Sequence, residues 1–258
     1  MAARDEPIRD WRDGAAYAPL LDADRSLFAW EWIRRDPAYR MAFERALASG
    51  SRVPDLSAGK PEQWGLLLFE RPSLTVPGAR PIWRAEAYPY VLGVEAGPPD
   101  GEEAFDIERL CAASTLAPGA EGREHLLISD GFRAIRIDVL AGTIAAGACG
   151  LRYRLMGLAG AERPLLTLRR LLALWRTDRF SGSLHPRETR AKRWLTMLRA
   201  HDALAAGADQ REIAAVLLGA EAGEPRWRSR CPHVRSQVQR LVRGARHMAS
   251  GGYRQLLR

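Results

Sequence analysis

Hydrophobic positions in the first fifty residues recur at helical spacing. In DADRSLFAWEWIRR, Leu27, Phe28, Trp30, Trp32 and Ile33 supply packing residues behind Asp22 or Asp24 as an N-cap. RDPAYRMAFERALASG follows, with Asp36 ahead of Pro37, a cap followed by proline at the first helical position. Tyr39, Phe43 and Leu47 then repeat at every fourth residue, and Gly50 ends the helix. The aromatic residues gathered here (Trp11, Phe28, Trp30, Trp32, Tyr39, Phe43) predict a small core rather than a ligand box.

Residues 51–101 are rich in proline, with short apolar runs such as WGLLLFE and PYVLGVEA, so loops with short strands or turns are expected. EHLLIS, FRAIRIDVL and CGLRYRLM read as three strands. The second alternates, with Ile135, Ile137 and Val139 on one face and Arg136 and Asp138 on the other. Asp130-Gly131 between apolar runs is a hairpin signal, and the expectation is a small antiparallel sheet.

After Gly157 the period becomes helical. Leu165, Leu168, Leu172 and Trp175 share one face, Pro186 opens a further helix, and Gly207 closes it. Asp209 with Glu212 three residues on forms a capping box for a helix that stops at Gly219. The last long helix runs from about Pro232 to Ala249. With Val234 set at zero and about 100° per residue, Val238, Leu241, Val242, Ala245 and Ala249 fall within ~80° of it. Arg235, Ser236, Gln239, Arg240, Arg243, Arg246 and His247 take the opposite side.

Charge sharpens this picture. Residues 1–150 hold 17 Lys+Arg against 23 Asp+Glu, a net of −6, and residues 151–258 hold 22 against 8, a net of +14. The last 33 residues carry nine arginines and no acid. An amphipathic helix with a wholly cationic outer face docks by one side and offers charge to an anion, of which duplex nucleic acid is the most abundant. Arginine can fork onto guanine, glutamine onto adenine, and a helix fits the major groove. Arg235, Gln239, Arg243 and Arg246 are therefore the candidates for groove contacts. Arg226, Arg228, Arg230 and Arg240 are the candidates for phosphates. Only Lys60 and Lys192 among the 39 basic residues are lysine, a bias that a GC-rich genome and phosphate recognition would each produce.

Segment QREIAAVLLG resembles the first helix of a helix-turn-helix pair, but Ala220 to Ser229 makes a turn of about ten residues where three or four are usual. Enzymatic signals are absent: no P-loop, GxGxxG, GxSxG, paired-carboxylate or metal-spacing motif stands out, and no catalytic residue, metal or cofactor is expected. The three cysteines are widely spaced without CxxC. The N-terminus lacks an apolar leader and no window suits a membrane span, so the chain is expected to be cytoplasmic.

The N-terminal DWRDGAAYAPLLDADRSLFAWEWIRRDPAYRMAFERAL resembles the proteobacterial transcriptional regulator-like domain. The C-terminal DALAAGADQREIAAVLLG … RSQVQRLVRGARHMASGGYRQLLR resembles the RovC-type DNA-binding domain. The resemblance implies a transcriptional activator of type VI secretion or mobile-element genes, homo-oligomeric, with double-stranded DNA and RNA polymerase as partners. By position, Arg235, Arg240, Arg243 and Arg246 match the family's basic helix, and Gly251 to Arg258 its closing motif.

The expected fold is α+β: a helical unit over 1–60, a Pro-rich linker and small antiparallel sheet over 61–157, and a helical DNA-binding module over 158–258, a helix-turn-helix variant with a long turn. The reading from another class is a non-enzymatic adaptor whose basic helix docks an acidic partner. RNA binding is a weaker third, since no aromatic stacking sheet is visible.

Overall fold

A computed structural model describes residues 10–48, 60–99, 104–110, 112–219 and 232–258. A 3-10 turn, Ala15–Asp22, precedes α1 (Arg25–Ile33) and α2 (Pro37–Ala48). Five strands follow: β1 (Val91–Gly97), β2 (Ala113–Pro118), β3 (Glu124–Ser129), β4 (Ala134–Ala141) and β5 (Gly150–Arg154). Then come α3 (Leu158–Thr177), α4 (Ala191–Ala205), α5 (Gln210–Leu218), α6 (Pro232–Ala249) and a closing 3-10 turn, Gly252–Leu257. The fold is α+β.

Contacts divide the chain into two compact units, one of residues 1–41 with 187–256 and the other of residues 42–186 with 257–258. α1 and the start of α2 thus share a unit with α4, α5 and α6, although most of the chain lies between them.

In the sheet unit the strand order is β2-β3-β4-β1-β5. The sheet is mixed, not antiparallel as expected: β1 runs parallel to β4, while the other pairs are antiparallel. Two antiparallel reversals, β2 to β3 and β3 to β4, lie between β1 and β4 and bring β4 alongside β1 in the same direction. A central strand is covered on both faces and loses the alternation that marks a half-buried one. That is why Val91, Leu92 and Val94 read only as a short apolar run among prolines. The hairpin at Asp130-Gly131 does form, with Gly131 at φ 96°, and a side chain there would also strike Pro77, 2.7 Å from an ideal Cβ.

Ile135, Ile137 and Val139 of β4 enter one core with Leu92, Val94, Leu126 and Ile128. The other face is not solvent. Ile82 and Leu127 are buried there, and Arg136, expected on a polar surface, is 1% exposed. Its Nη2 lies 2.7 Å from Asp138 Oδ1, and Nη1 donates to the Ile137 carbonyl. Asp138 also meets His125 Nδ1 at 2.5 Å.

Helix α3 covers the first face, rotated from the expected orientation. Thr167, Leu171 and Leu174 are buried, Leu168 and Trp175 pack partly on the core, and Leu165 and Leu172 remain 44% and 36% exposed. This sequence carries apolar residues on two adjoining stripes, so periodicity alone does not choose which faces the sheet. Nor does Pro186 open a helix; α4 begins at Ala191.

His185 sits in the sheet unit with its ring 5.3 Å from Phe180, and Nδ1 donates to the Ser181 carbonyl at 3.1 Å. Burial, then the Arg170 charge, lowers its pKa from 6.5 to about 4. The folded chain therefore keeps it neutral while the unfolded chain takes up a proton below pH 6.5. Stability should be unaffected above that pH and fall as pH drops towards 4, with a slope approaching about 1.4 kcal/mol per pH unit. Urea unfolding across this range should show the loss, and His185→Phe should remove that component.

Candidate nucleic-acid interface

The helical unit is built on a core that the aromatic residues of the N-terminus supply. Trp11, Phe28, Trp30, Trp32 and Tyr39 are all buried. Asp24 caps α1 by accepting from the Leu27 amide at 3.1 Å. Phe28 meets Trp194 of α4 edge-on at 5.3 Å, and Trp32 meets His201 at 5.5 Å.

A buried ionic network crosses the same interface. Arg35 forks onto Asp202 of α4, Nε to Oδ1 at 2.7 Å and Nη2 to Oδ2 at 2.9 Å. Its Nη1 donates to Glu31 Oε2 at 2.5 Å. Arg34 Nε also donates to Glu31 Oε2, at 2.9 Å. Tyr17 donates its hydroxyl to Asp202 Oδ2 at 2.6 Å. Burial, then the Asp202 charge, pushes the Tyr17 pKa up, so the hydroxyl stays a donor. Burial opposes the charge on Arg35, but Glu31 and Asp202 together outweigh it and raise its pKa. Sequence reading missed this network because its members lie 167 positions apart.

Helices α4, α5 and α6 pack on one another, and α1 touches α4 and α6. The expected capping box is present at α5. Asp209 Oδ1 accepts from the Arg211 and Glu212 amides at 2.7 and 2.8 Å, and Glu212 Oε2 accepts from the Asp209 amide at 3.0 Å. Ile213 and Ala214 are buried, whereas Val216 and Leu218, at the solvent side, are not. Asp209→Ala should cost about 0.5–2 kcal/mol, read as a lower urea midpoint.

Helix α6 is one-sided. Val234, Val238, Val242, Ala245 and Met248 are buried and Leu241 is half-buried. Met248 extends the expected stripe by a turn, while Ala249, at the helix end, is exposed. Gly244 lets α4 cross closely: an ideal Cβ there would lie 2.1 Å from Met197 Cε. A lone glycine inside a helical pattern was the available signal for that contact. The terminal motif packs as well, with Gly252, Tyr253, Leu256 and Leu257 buried.

Arg235, Gln239, Arg240, Arg243 and Arg246 are all exposed on the opposite side. None of these four arginines has an ion pair with a described residue. Several cations elsewhere in the unit are compensated: Arg25 by Glu188, Arg187 by Asp22, and Arg12 by Glu212. The outer face of α6 therefore carries an unneutralised positive field. Arg226, Arg228 and Arg230, the other candidates, lie outside the described residues, as do Gly50 and the long turn before α6.

Two family models match the chain. A proteobacterial transcriptional regulator-like domain matches residues 10–68. A DNA-binding domain of the RovC type, described as that of a type VI secretion transcription factor, matches residues 158–258. The chain is a DNA-binding transcription regulator. No curated protein matches it. In the regulator, α3 lies within the DNA-binding match yet packs on the sheet, and residues 69–157, with all five strands, fall outside both matches. Among the described residues no helix is long and apolar enough to cross a membrane, and no cluster of His, Cys, Asp and Glu is suited to a metal ion.

Proposed function

We propose that the regulator is a cytoplasmic, non-enzymatic transcriptional activator that reads a specific duplex sequence with α6 in the major groove. α5 serves as the supporting helix of a helix-turn-helix variant. Arg235, Gln239, Arg243 and Arg246 contact base edges, while Arg240 with Arg226, Arg228 and Arg230 holds phosphates. The observation that carries this reading is the set of four exposed arginines without an acidic partner among the described residues, on a helix fixed by its other face. The match at 158–258 points to type VI secretion genes as targets. Mobile-element genes are the alternative set. RNA polymerase is the second partner of an activator, and the active form is a homo-oligomer.

Genome-wide mapping of bound sites in the host would supply the operator. Titration of that duplex and of a scrambled one should then separate by a factor of at least about 10³ at physiological salt. Arg240→Ala should weaken both alike and reduce the slope of log K against log salt by about one. Equal, weak and strongly salt-sensitive binding to both duplexes would instead favour an adaptor for an acidic protein.

A further inference from the structure

Arg190, at the N-cap of α4 with helical backbone angles, and Arg193, Met197, Ala200 and Leu204 within the helix recur at steps of three and four. They therefore line one stripe of α4. The later part of that stripe is covered: Ala200 is fully buried, Leu204 is half-buried, and Met197 seats on Gly244 of α6. Its first turn is not. Arg190 and Arg193 are both exposed, and neither has an ion pair with a described residue. Glu188, the acid nearest in sequence, is held by Arg25 at 2.5 Å and by the Arg190 amide at 3.1 Å. α4 and α6 belong to the same compact unit.

The crossing point fixes which flank of α6 these charges border. With Val234 at zero and about 100° per residue, Gly244 lies at about 280° round α6, beside Arg240 at about 240° and far from Arg246 at about 120°. α4 thus crosses on the Arg240 flank. Side chains one helical turn apart stand about 5–6 Å from each other, so Arg193 enters solvent next to that flank, one turn from the contact with Gly244. A helix centred in a major groove about 12 Å wide has a row of phosphates along each side. α5, also packed on α6, shows exposed Glu212, Val216 and Leu218 beside its single arginine, Arg211. We propose that the first turn of α4 is a second phosphate-binding element, in which Arg190 and Arg193 hold the strand that borders the groove on the Arg240 side. This rests on the placement of α6 in the groove.

Salt titration of the full chain on the mapped operator and on scrambled duplex tests it. R190Q/R193Q keeps side-chain length and helix propensity, and should unfold at the wild-type urea midpoint. It should weaken both duplexes by the same factor, and the slope of log K against log salt should fall by about two, since each phosphate contributes about 0.9. R190K/R193K should retain most of the slope, because an ammonium also neutralises a phosphate. Ethylation interference should place the phosphates lost in R190Q/R193Q beside those lost in Arg240→Ala. A slope within about half a unit of wild type, a loss confined to the operator, or lost phosphates beside those of Arg246→Ala would each overturn the proposal and leave the role of α6 standing. A wild type without preference for the operator would overturn the reading of α6, and this element with it. Should R190Q/R193Q unfold, the wild-type map decides: the Arg240 flank must include phosphates that Arg240→Ala leaves in place, and their absence overturns the proposal.

Discussion

Asp202→Ala is expected to destabilise the helical unit by about 3–5 kcal/mol, the range for breaking one partner out of a buried ion pair. Asp202 is 1% exposed and holds three donors: both nitrogens of the Arg35 fork and the Tyr17 hydroxyl. Its removal leaves the buried Arg35 with Glu31 alone, and Glu31 is already shared with Arg34. The Tyr17 hydroxyl loses its acceptor as well, and an unmet buried donor adds about 1–3 kcal/mol of its own. A domain is typically stable by only about 5–15 kcal/mol, so this one change removes a large part of the margin. Urea unfolding followed by tryptophan fluorescence measures it directly. A cost below about 1 kcal/mol would mean that the network contributes little to joining the N-terminal helices to α4. Asp202→Asn, which keeps the shape and one acceptor, should lie between the two.

That network shows where the chain was opaque to sequence reading. Arg35 and Asp202 have no local relation, and each on its own resembles a surface charge. The same holds for Arg136, whose place in an alternating strand predicted exposure although residues before β1 cover that face. β1 itself hides because central strands do not alternate. On α3 two apolar stripes adjoin, so the leucines counted as core include the two that face solvent. Legibility was greatest where one face differs sharply from the other. Val234, Val238, Val242 and Ala245 opposite five exposed polar residues fix the orientation of α6 without any tertiary information. The Asp209–Glu212 box was equally readable, since a capping box is closed within four residues. The division of labour among arginines was not readable, because helical periodicity separates exposed from buried but not phosphate from base.

The second large effect concerns that division. Arg243 and Arg246 lie about 180° and 120° round α6 from Val234, well inside its exposed face. Neither has a neighbouring acid among the described residues to neutralise it. An arginine reading a base edge contributes about 1–3 kcal/mol of discrimination, and one holding a phosphate contributes mainly salt-dependent affinity. Arg243→Ala and Arg246→Ala should each cost about 1–3 kcal/mol on the operator. As neighbours three residues apart on one helix face they need not add, but together they should cost more than either alone, with far less change on unrelated duplex. The fold should be untouched, since both side chains face solvent.

The most direct test of the central claim, that the outer face of α6 reads DNA, is the affinity of R243A/R246A beside wild type for the mapped operator at physiological salt. The expected result is a loss of at least about 30-fold on the operator, with its preference over scrambled duplex reduced. Unchanged operator affinity in a variant that unfolds at the wild-type urea midpoint would contradict it.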